Sequence, residues 1–245
     1  MFRKFATLGV LALFVLATAS CQKLQARDNL NKGIKAFREA RFEKAVEFFE
    51  NATKLDPELT NAELYLATAW AQQYIPNLDT EDNKRFAENA IKTFDRVLAK
   101  DPKNGSAIAG LAGMYQSLAD YAKAKEYYMK QTEIDPENAV PYYAIGSTNW
   151  ILVYNKQNPL PEDQKAPLIA EGLQYVDKAL EKNPNYEEAM TYKNLLLRQQ
   201  ALLTKDPKES KALEAEATVW FEKALATRKS NEERKQNPAG AAEGK

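Results

Sequence analysis

The sequence holds few of the side chains that usually carry out catalysis or bind metal ions. It has no histidine, the commonest general base and the commonest ligand of transition metals. It has one cysteine, Cys21. A Ser-His-Asp or Cys-His arrangement therefore cannot form from these residues.

Carboxylates are abundant, and two close pairs are candidates for acid–base chemistry: Glu187 with Glu188, and Asp79 with Glu81. A catalytic carboxyl group needs burial or a charged neighbour to shift its pKa. Both pairs lie in stretches that the sequence pattern places on a solvated helix face or in a loop. We therefore expect no catalytic residue, no metal site and no cofactor, and the chain is predicted not to be an enzyme.

The charge balance bears on the class of partner. The chain carries 34 basic and 34 acidic residues, and the basic ones form no cluster. A nucleic-acid-binding protein usually presents a concentrated basic face. The composition therefore favours protein or peptide partners and predicts no binding to nucleic acid.

The first twenty residues have the pattern of a secretory signal peptide. Arg3 and Lys4 are followed by an apolar run over 5–16 and by small residues over 17–20. The run is about twelve residues long, which is short of the roughly 20 that a helix needs to cross a bilayer. Residues 1–20 are therefore predicted to be a signal peptide. A membrane anchor that is not cleaved is the alternative.

The only cysteine directly follows this segment. Thr18-Ala19-Ser20-Cys21 resembles the lipobox of bacterial lipoproteins, although leucine is usual where Thr18 stands. The resemblance implies that Cys21 is lipidated and begins the mature chain, with 21–26 as a linker. Gln22 resembles the residue of lipoproteins sorted to the outer membrane, so we expect a lipid-anchored protein that faces the periplasm. Cleavage after Ala19 would instead release a soluble periplasmic or secreted protein.

Four prolines mark a repeated helix end. Each follows an aspartate or asparagine, and proline cannot continue a helix. Pro102 and Pro136 are 34 residues apart, while the flanking spacings, from Pro57 to Pro102 and from Pro136 to Pro184, are 45 and 48. The sequence thus repeats a 34-residue unit that is enlarged in some copies.

The residues inside one unit identify the kind of repeat. Ala112 and Tyr115 fall on one predicted helix, and Ala124 and Tyr128 fall on the next, before Pro136. This spacing resembles the tetratricopeptide repeat, a hairpin of a first helix A and a second helix B. The resemblance implies an all-α fold, a right-handed α-α superhelix (solenoid) of about five hairpins. The predicted repeats cover 27–57, 58–102, 103–136, 137–184 and 185–230.

Repeats 2, 4 and 5 have enlarged turns between helix A and helix B. The inserted stretches, 74–79, 155–161 and 203–207, are rich in turn-forming residues. They are predicted to lie along one edge, either as a binding face or as tolerated surface loops. Residues 231–245 lack apolar anchors and are predicted to form a disordered tail.

In tetratricopeptide folds the A helices line a concave groove that binds partners. The resemblance implies groove positions in repeats 2 to 5, and in repeat 3 these include Ala109 and Gly113. Tyr143 and Trp150 are candidate anchors for an extended segment or a helix. The alternative is that both pack on the next repeat or on the inserted loop. The predicted groove residues are Asn61, Thr68, Gln72, Ser106, Gln116, Tyr143, Ser147, Trp150, Arg198 and Gln199.

The expected ligand is apolar or mixed, because Leu30 and Ile34 stand where some members of the family hold a terminal carboxylate. Together these features predict an envelope-tethered adaptor or assembly scaffold. A component of an outer-membrane or pilus assembly machine and a soluble exported structural protein are the alternatives. The identity of the partners and the oligomeric state are left open by the sequence.

Overall fold

The computed structural model describes residues 21–156 and 159–236. Within them the chain forms ten helices and no strand, which confirms the predicted all-α fold. The helices are α1 (21–38), α2 (Phe42–Leu55), α3 (Thr60–Ala71), α4 (Glu81–Lys100), α5 (Gly105–Ser117), α6 (Tyr121–Ile134), α7 (Ala139–Tyr154), α8 (Glu162–Lys182), α9 (Glu187–Leu203) and α10 (Pro207–Gln236). Among the described residues no helix is long and apolar enough to cross a membrane.

The Asp-Pro and Asn-Pro signals end helices in the same way at each site. Helices α2, α4 and α8 stop at Asp56, Asp101 and Asn183, whose backbones leave the helical region. In each case the carbonyl of this residue accepts a hydrogen bond from the amide three residues later, at 3.1, 3.0 and 3.1 Å. The turn after α6 repeats this bond at Asp135. A proline that lacks an amide hydrogen fits such a turn, since its position donates no bond there.

The chain divides into two compact units, Met1–Asp120 and Tyr121–Lys245. The described part of unit 1 contains α1 to α5, and that of unit 2 contains α6 to α10. Each predicted repeat overlaps two helices, although α1 begins before residue 27 and α10 ends after residue 230, and the repeat boundaries themselves stay a prediction. The division falls inside the predicted third repeat, between α5 and α6.

In unit 1, α1 and α2 share a core cluster, α2, α3, α4 and α5 pack in succession, and α3 also contacts α5. The largest buried side chains include Phe49 and Phe94, which are 0% and 2% exposed. Each phenylalanine ring lies on a glycine: a Cβ at Gly33 would lie 2.4 Å from Phe49, and one at Gly110 would lie 2.2 Å from Phe94. Glycine is required at both places because the ring occupies the space of a side chain.

In unit 2, α7 packs on α6, α8 and α9, and α10 packs on α9. The apolar core between α8, α9 and α10 includes Val176, Leu196 and Ala224. A polar cluster joins α6, α7 and α8. The fully buried Asn149 of α7 donates a hydrogen bond to Glu171 of α8 at 3.0 Å, and Lys125 of α6 forms an ion pair with Glu171. These buried and partly buried polar groups satisfy one another and link α6, α7 and α8.

Two predicted irregular segments are helical where the structure describes them. The expected linker 21–26 belongs to α1, and Ala26 is fully buried in it. Residues 231–236 of the expected tail continue α10, because lysine, arginine and glutamate favour a helix that has already begun. The predicted signal peptide and residues 237–245 lie outside the described residues.

The enlarged repeats are longer partly in their helices. Helices α4, α8 and α10 have 20, 21 and 30 residues, against 14 in α2 and in α6. The connection between α9 and α10 is only 204–206. The extra length of these repeats is thus divided between the connection and a longer helix B.

Candidate functional site

A concave cavity of about 580 Å³ lies in unit 1 between α3 and α5. Residues of α3 and α5 line most of it, and Phe37 of α1 and Phe94 of α4 complete the lining. Side chains three and four residues apart share one face of a helix, so each helix contributes a single stripe. The lining residues are Phe37, Leu64, Tyr65, Thr68, Ala71, Gln72, Phe94, Ser106, Ala109, Gly110, Gly113, Met114 and Ser117.

Three of the predicted groove residues meet in this cavity: Thr68 from α3, Gln72 directly after its end, and Ser106 from α5. Ala109 and Gly113, which occupy groove positions by the same register, also line it. The two other predicted residues of unit 1 are outside the lining: Asn61 is exposed on α3, and Gln116 is half-buried on α5.

The lining carries no charged side chain. Its polar side chains are those of Tyr65, Thr68, Gln72, Ser106 and Ser117. The Thr68 hydroxyl already donates a hydrogen bond to the carbonyl of Leu64 at 2.8 Å. The cavity therefore offers apolar contact and a small hydrogen-bonding capacity.

The floor of the cavity is the surface that Ser106, Ala109, Gly110 and Gly113 of α5 form. The space above Gly113 is empty. A Cβ added there would meet no atom within 4 Å, in contrast to Gly110 one turn earlier on α5. Gly105, at the start of the same helix and outside the lining, is equally open. The absence of a side chain at Gly113 thus leaves space that a ligand can fill.

The structure places the predicted aromatic anchors of unit 2 in a packed cluster. The ring of Tyr143 lies 5.0 Å from that of Tyr186 and 5.6 Å from that of Tyr192. Trp150 lies 5.5 Å from Tyr192 and stacks on Tyr154 at 4.9 Å. Tyr143 and Trp150 are partly buried and pack against the core of unit 2. Their geometry matches the alternative of packing on the next repeat, and their role in a groove stays a prediction.

The remaining predicted groove residues of unit 2 are on α7 and α9. Ser147 is only 4% exposed, and its hydroxyl donates to the carbonyl of Ala144 at 3.0 Å. Arg198 is exposed, and its Nε donates to Oδ1 of Asn194 at 2.8 Å. Gln199 is half-buried. Ser147 is therefore largely enclosed by its own unit, whereas Arg198 is open to solvent.

Burial in this cluster shifts the tyrosine ionisation. It raises the pKa of Tyr143, with smaller contributions from Tyr192 and Tyr186. It also raises the pKa of Tyr186 to about 12, with a smaller contribution from Glu188. Removing a phenolate from water is unfavourable, so these side chains stay neutral at physiological pH.

One residue of each candidate acid–base pair takes part in an ion pair, in which the Asp79 side chain is exposed and that of Glu187 is only 16% exposed. Glu187 pairs with Arg228, and Asp79 pairs with Lys84 at 2.8 Å. The hydrogen bond from Lys84 lowers the pKa of Asp79. Over the described residues, no group of histidine, cysteine, aspartate and glutamate side chains could hold a metal ion.

Sequence reasoning missed the aromatic walls of the cavity. Phe37 and Tyr65 line it beside the predicted positions. Tyr65 stacks on Phe49 at 5.5 Å and is still 37% exposed. The sequence signal for this wall was Tyr65, a large aromatic residue three positions before the predicted groove residue Thr68.

Comparison with known proteins supports the helical-repeat fold. A family model described as "Tetratricopeptide repeat" matches residues 36–59 and 106–138. The solved structures that resemble the chain include MamA from Desulfovibrio magneticus RS-1 (residue 41 to its end), with a TM-score of 0.62 and 15% identity, covering 84% of this chain and 96% of that one. A MamA double mutant from RS-1 has a TM-score of 0.64 at 15% identity, with the same coverage of both chains.

A further MamA crystal structure has a TM-score of 0.60 at 15% identity and covers 85% of this chain and 94% of that one. Comparison with curated proteins gives no match. The chain thus contains tetratricopeptide repeats in two stretches, and its overall fold is that of a helical-repeat protein.

Proposed function

We propose that this protein is an envelope lipoprotein that acts as an adaptor or assembly scaffold and binds a protein segment in the cavity of unit 1. The observation that carries the proposal is the cavity itself, which is open, uncharged and lined by Thr68, Gln72 and Ser106 at predicted groove positions. Helical-repeat proteins use concave surfaces of this kind to bind partners. The fold is typical of interaction scaffolds and not of catalysts.

The proposed tether is a lipid on Cys21. This cysteine is exposed and has no disulfide partner, as expected for the only cysteine of the chain. An exported protein with an unpaired thiol at this position needs a reason for it, and lipidation supplies one. A single site of attachment would leave the cavity of unit 1 free to bind.

The experiment is affinity capture from membranes dissolved in mild detergent. The tagged protein is compared with a Gly113→Leu variant, which fills the cavity, and with Gly105→Leu, which adds the same side chain outside it. We expect a discrete set of envelope proteins with the wild-type chain and with Gly105→Leu, and their loss with Gly113→Leu.

Capture of the same proteins by all three chains would contradict the cavity as the binding site. A Cys21→Ser chain tests the tether separately: loss of the partners would make membrane attachment essential to the adaptor. The identities of the captured proteins would also distinguish a general adaptor from a component of an outer-membrane or pilus assembly machine.

A further inference from the structure

We infer that the segment bound in the unit 1 cavity is an α-helix whose contacting face is uncharged and built from apolar and small residues. This inference rests on the proposed function and names the class of ligand. It is argued from the charge of the lining, from its hydrogen-bonding capacity and from the space above Gly113.

Charge complementarity excludes charged side chains from the contacting face. Charged residues make up 28% of the chain, yet the cavity lining contains none. A ligand carboxylate or ammonium group placed inside would lose water and find no partner of opposite charge. The matching ligand surface is therefore neutral along the whole length of the cavity.

Hydrogen bonding favours a helix over an extended peptide. An extended segment brings one backbone donor and one acceptor with each residue, so six residues carry roughly twelve such groups. The cavity faces them with five polar side chains, and Thr68 already donates to the carbonyl of Leu64. The backbones of α3 and α5 bond within their own helices. A bound helix satisfies its own backbone and needs only side-chain contact.

The shape of the floor fits the approach of a second helix. Within unit 1 the ring of Phe94 already lies directly on Gly110. Gly113 is one turn further along α5 and has the same lack of a side chain, but its place is empty. An apolar side chain of the ligand would therefore lie on Gly113 as Phe94 lies on Gly110. The side chains of Ala109 and Ser106 are small, so a second helix can pack closely on the rest of the floor.

The test is selection from a library of random 16-residue peptides displayed on phage. Binders are selected on purified wild-type protein, and each is then measured against Gly113→Leu and Gly105→Leu. We expect peptides that bind wild type and Gly105→Leu equally, and that bind Gly113→Leu at least about tenfold more weakly because the added side chain clashes with them. Circular dichroism of both variants checks that their helices are retained.

The selected sequences decide the class of ligand. Apolar and small residues recurring every three to four positions, without a charge on that face, support the inference, and a proline placed at the centre of such a peptide should abolish its binding. Alternating apolar residues, proline-rich sequences, a required terminal carboxylate, or no peptide sensitive to Gly113→Leu would overturn it. Capture of envelope partners could still succeed in those cases, so the proposed function is tested independently.

Discussion

At the scale of single residues, Gly110 and Gly113 on α5 show how neighbouring structure decides the effect of one methyl group. A Cβ at Gly110 would lie 2.2 Å from the buried ring of Phe94, whereas a Cβ at Gly113 would meet nothing within 4 Å. We expect Gly110→Ala to destabilise the protein through overpacking by about 1–3 kcal/mol. Gly113→Ala should instead stabilise it by about 0.5–1 kcal/mol, because alanine restricts the unfolded chain. Urea unfolding of both variants measures the difference.

Each glycine variant is the control for the other, since both add the same atom to the same helix. Equal changes in the free energy of unfolding would show that Phe94 does not pack on Gly110. A loss of stability at Gly113 would show that the floor of the cavity is occupied in the free protein.

The partly buried tyrosines predict a loss of stability at alkaline pH. Burial raises the pKa of Tyr186 to about 12, from 10.0 for the free side chain. The unfolded chain then releases the proton at a lower pH than the folded chain. The stabilising contribution is complete below pH 10 and is lost as the pH rises through 12. Unfolding midpoints in urea, measured between pH 9 and about 12, should fall across this window.

Tyr186→Phe tests whether this residue contributes to the alkaline loss. Phenylalanine keeps the ring beside Tyr143 and removes the ionisable hydroxyl, so the variant should lose less stability over the same pH range. An identical pH dependence in the variant would assign the loss to other groups.

At the scale of elements, the connection between α3 and α4 is held by a single buried side chain. Asn83, which is 3% exposed, accepts a hydrogen bond from the amide of Ile75 at 2.8 Å and donates to the carbonyls of Ile75 and Leu78 at 2.8 and 2.7 Å. Ile75 and Leu78 are themselves 57% and 44% exposed. The insertion in the second repeat is therefore an ordered loop with two apolar side chains facing solvent.

Replacing Asn83 with alanine should release this loop. The change removes three hydrogen bonds and leaves backbone groups of the loop unpaired, so we expect a loss of about 1–3 kcal/mol in the free energy of unfolding. Hydrogen exchange at the amide of Ile75 should become faster. Glu88→Ala, at an exposed position of α4, is the control and should leave that exchange rate unchanged. Unchanged protection in Asn83→Ala would show that the loop is ordered by other contacts.

The helix ends could be predicted from the sequence because a turn is encoded by the residues that form it. Asp56-Pro57 and Asp101-Pro102 end their helices within the same few residues that encode the turn. The sequence predicted the ends of the inserted stretches less accurately. A stretch such as 203–207 contains turn-forming residues, yet α10 begins within it at Pro207, since proline is well suited to the first turn of a helix.

At the scale of the whole molecule, the proposed lipid on Cys21 should decide where the protein partitions. When cells that express the full chain are extracted with a detergent that separates into two phases, we expect the wild type in the detergent-rich phase. The Cys21→Ser chain should move to the aqueous phase, because serine lacks the thiol to which the lipid would be attached. Immunoblotting of the two phases makes the measurement.

Mass spectrometry of the mature amino terminus completes this test. A diacyl- or triacyl-cysteine would establish the tether, and a chain that begins at Ser20 would point to cleavage after Ala19. Wild-type protein found only in the aqueous phase would contradict the tether and leave the cavity of unit 1 as the functional feature.

The sequence by itself determined the helical class and the recurring helix ends, and its resemblance to the tetratricopeptide repeat implied a groove along α3 and α5. These properties depend on short-range chemistry: proline stops a helix, and a period of three to four residues assigns side chains to a face. The positions of Thr68, Gln72 and Ser106 were implied by the resemblance to the tetratricopeptide repeat, and the structure brings the three side chains to one cavity.

Only the tertiary structure decided which large side chains remain open and which are enclosed. Tyr143 and Trp150 occupy the same helix face as the predicted groove, but Tyr186 and Tyr192 pack against them. Gly110 and Gly113 are alike in sequence, and the ring of Phe94 distinguishes them. Such contacts join residues far apart in the chain, and their closeness depends on how neighbouring helices pack, which no local pattern encodes.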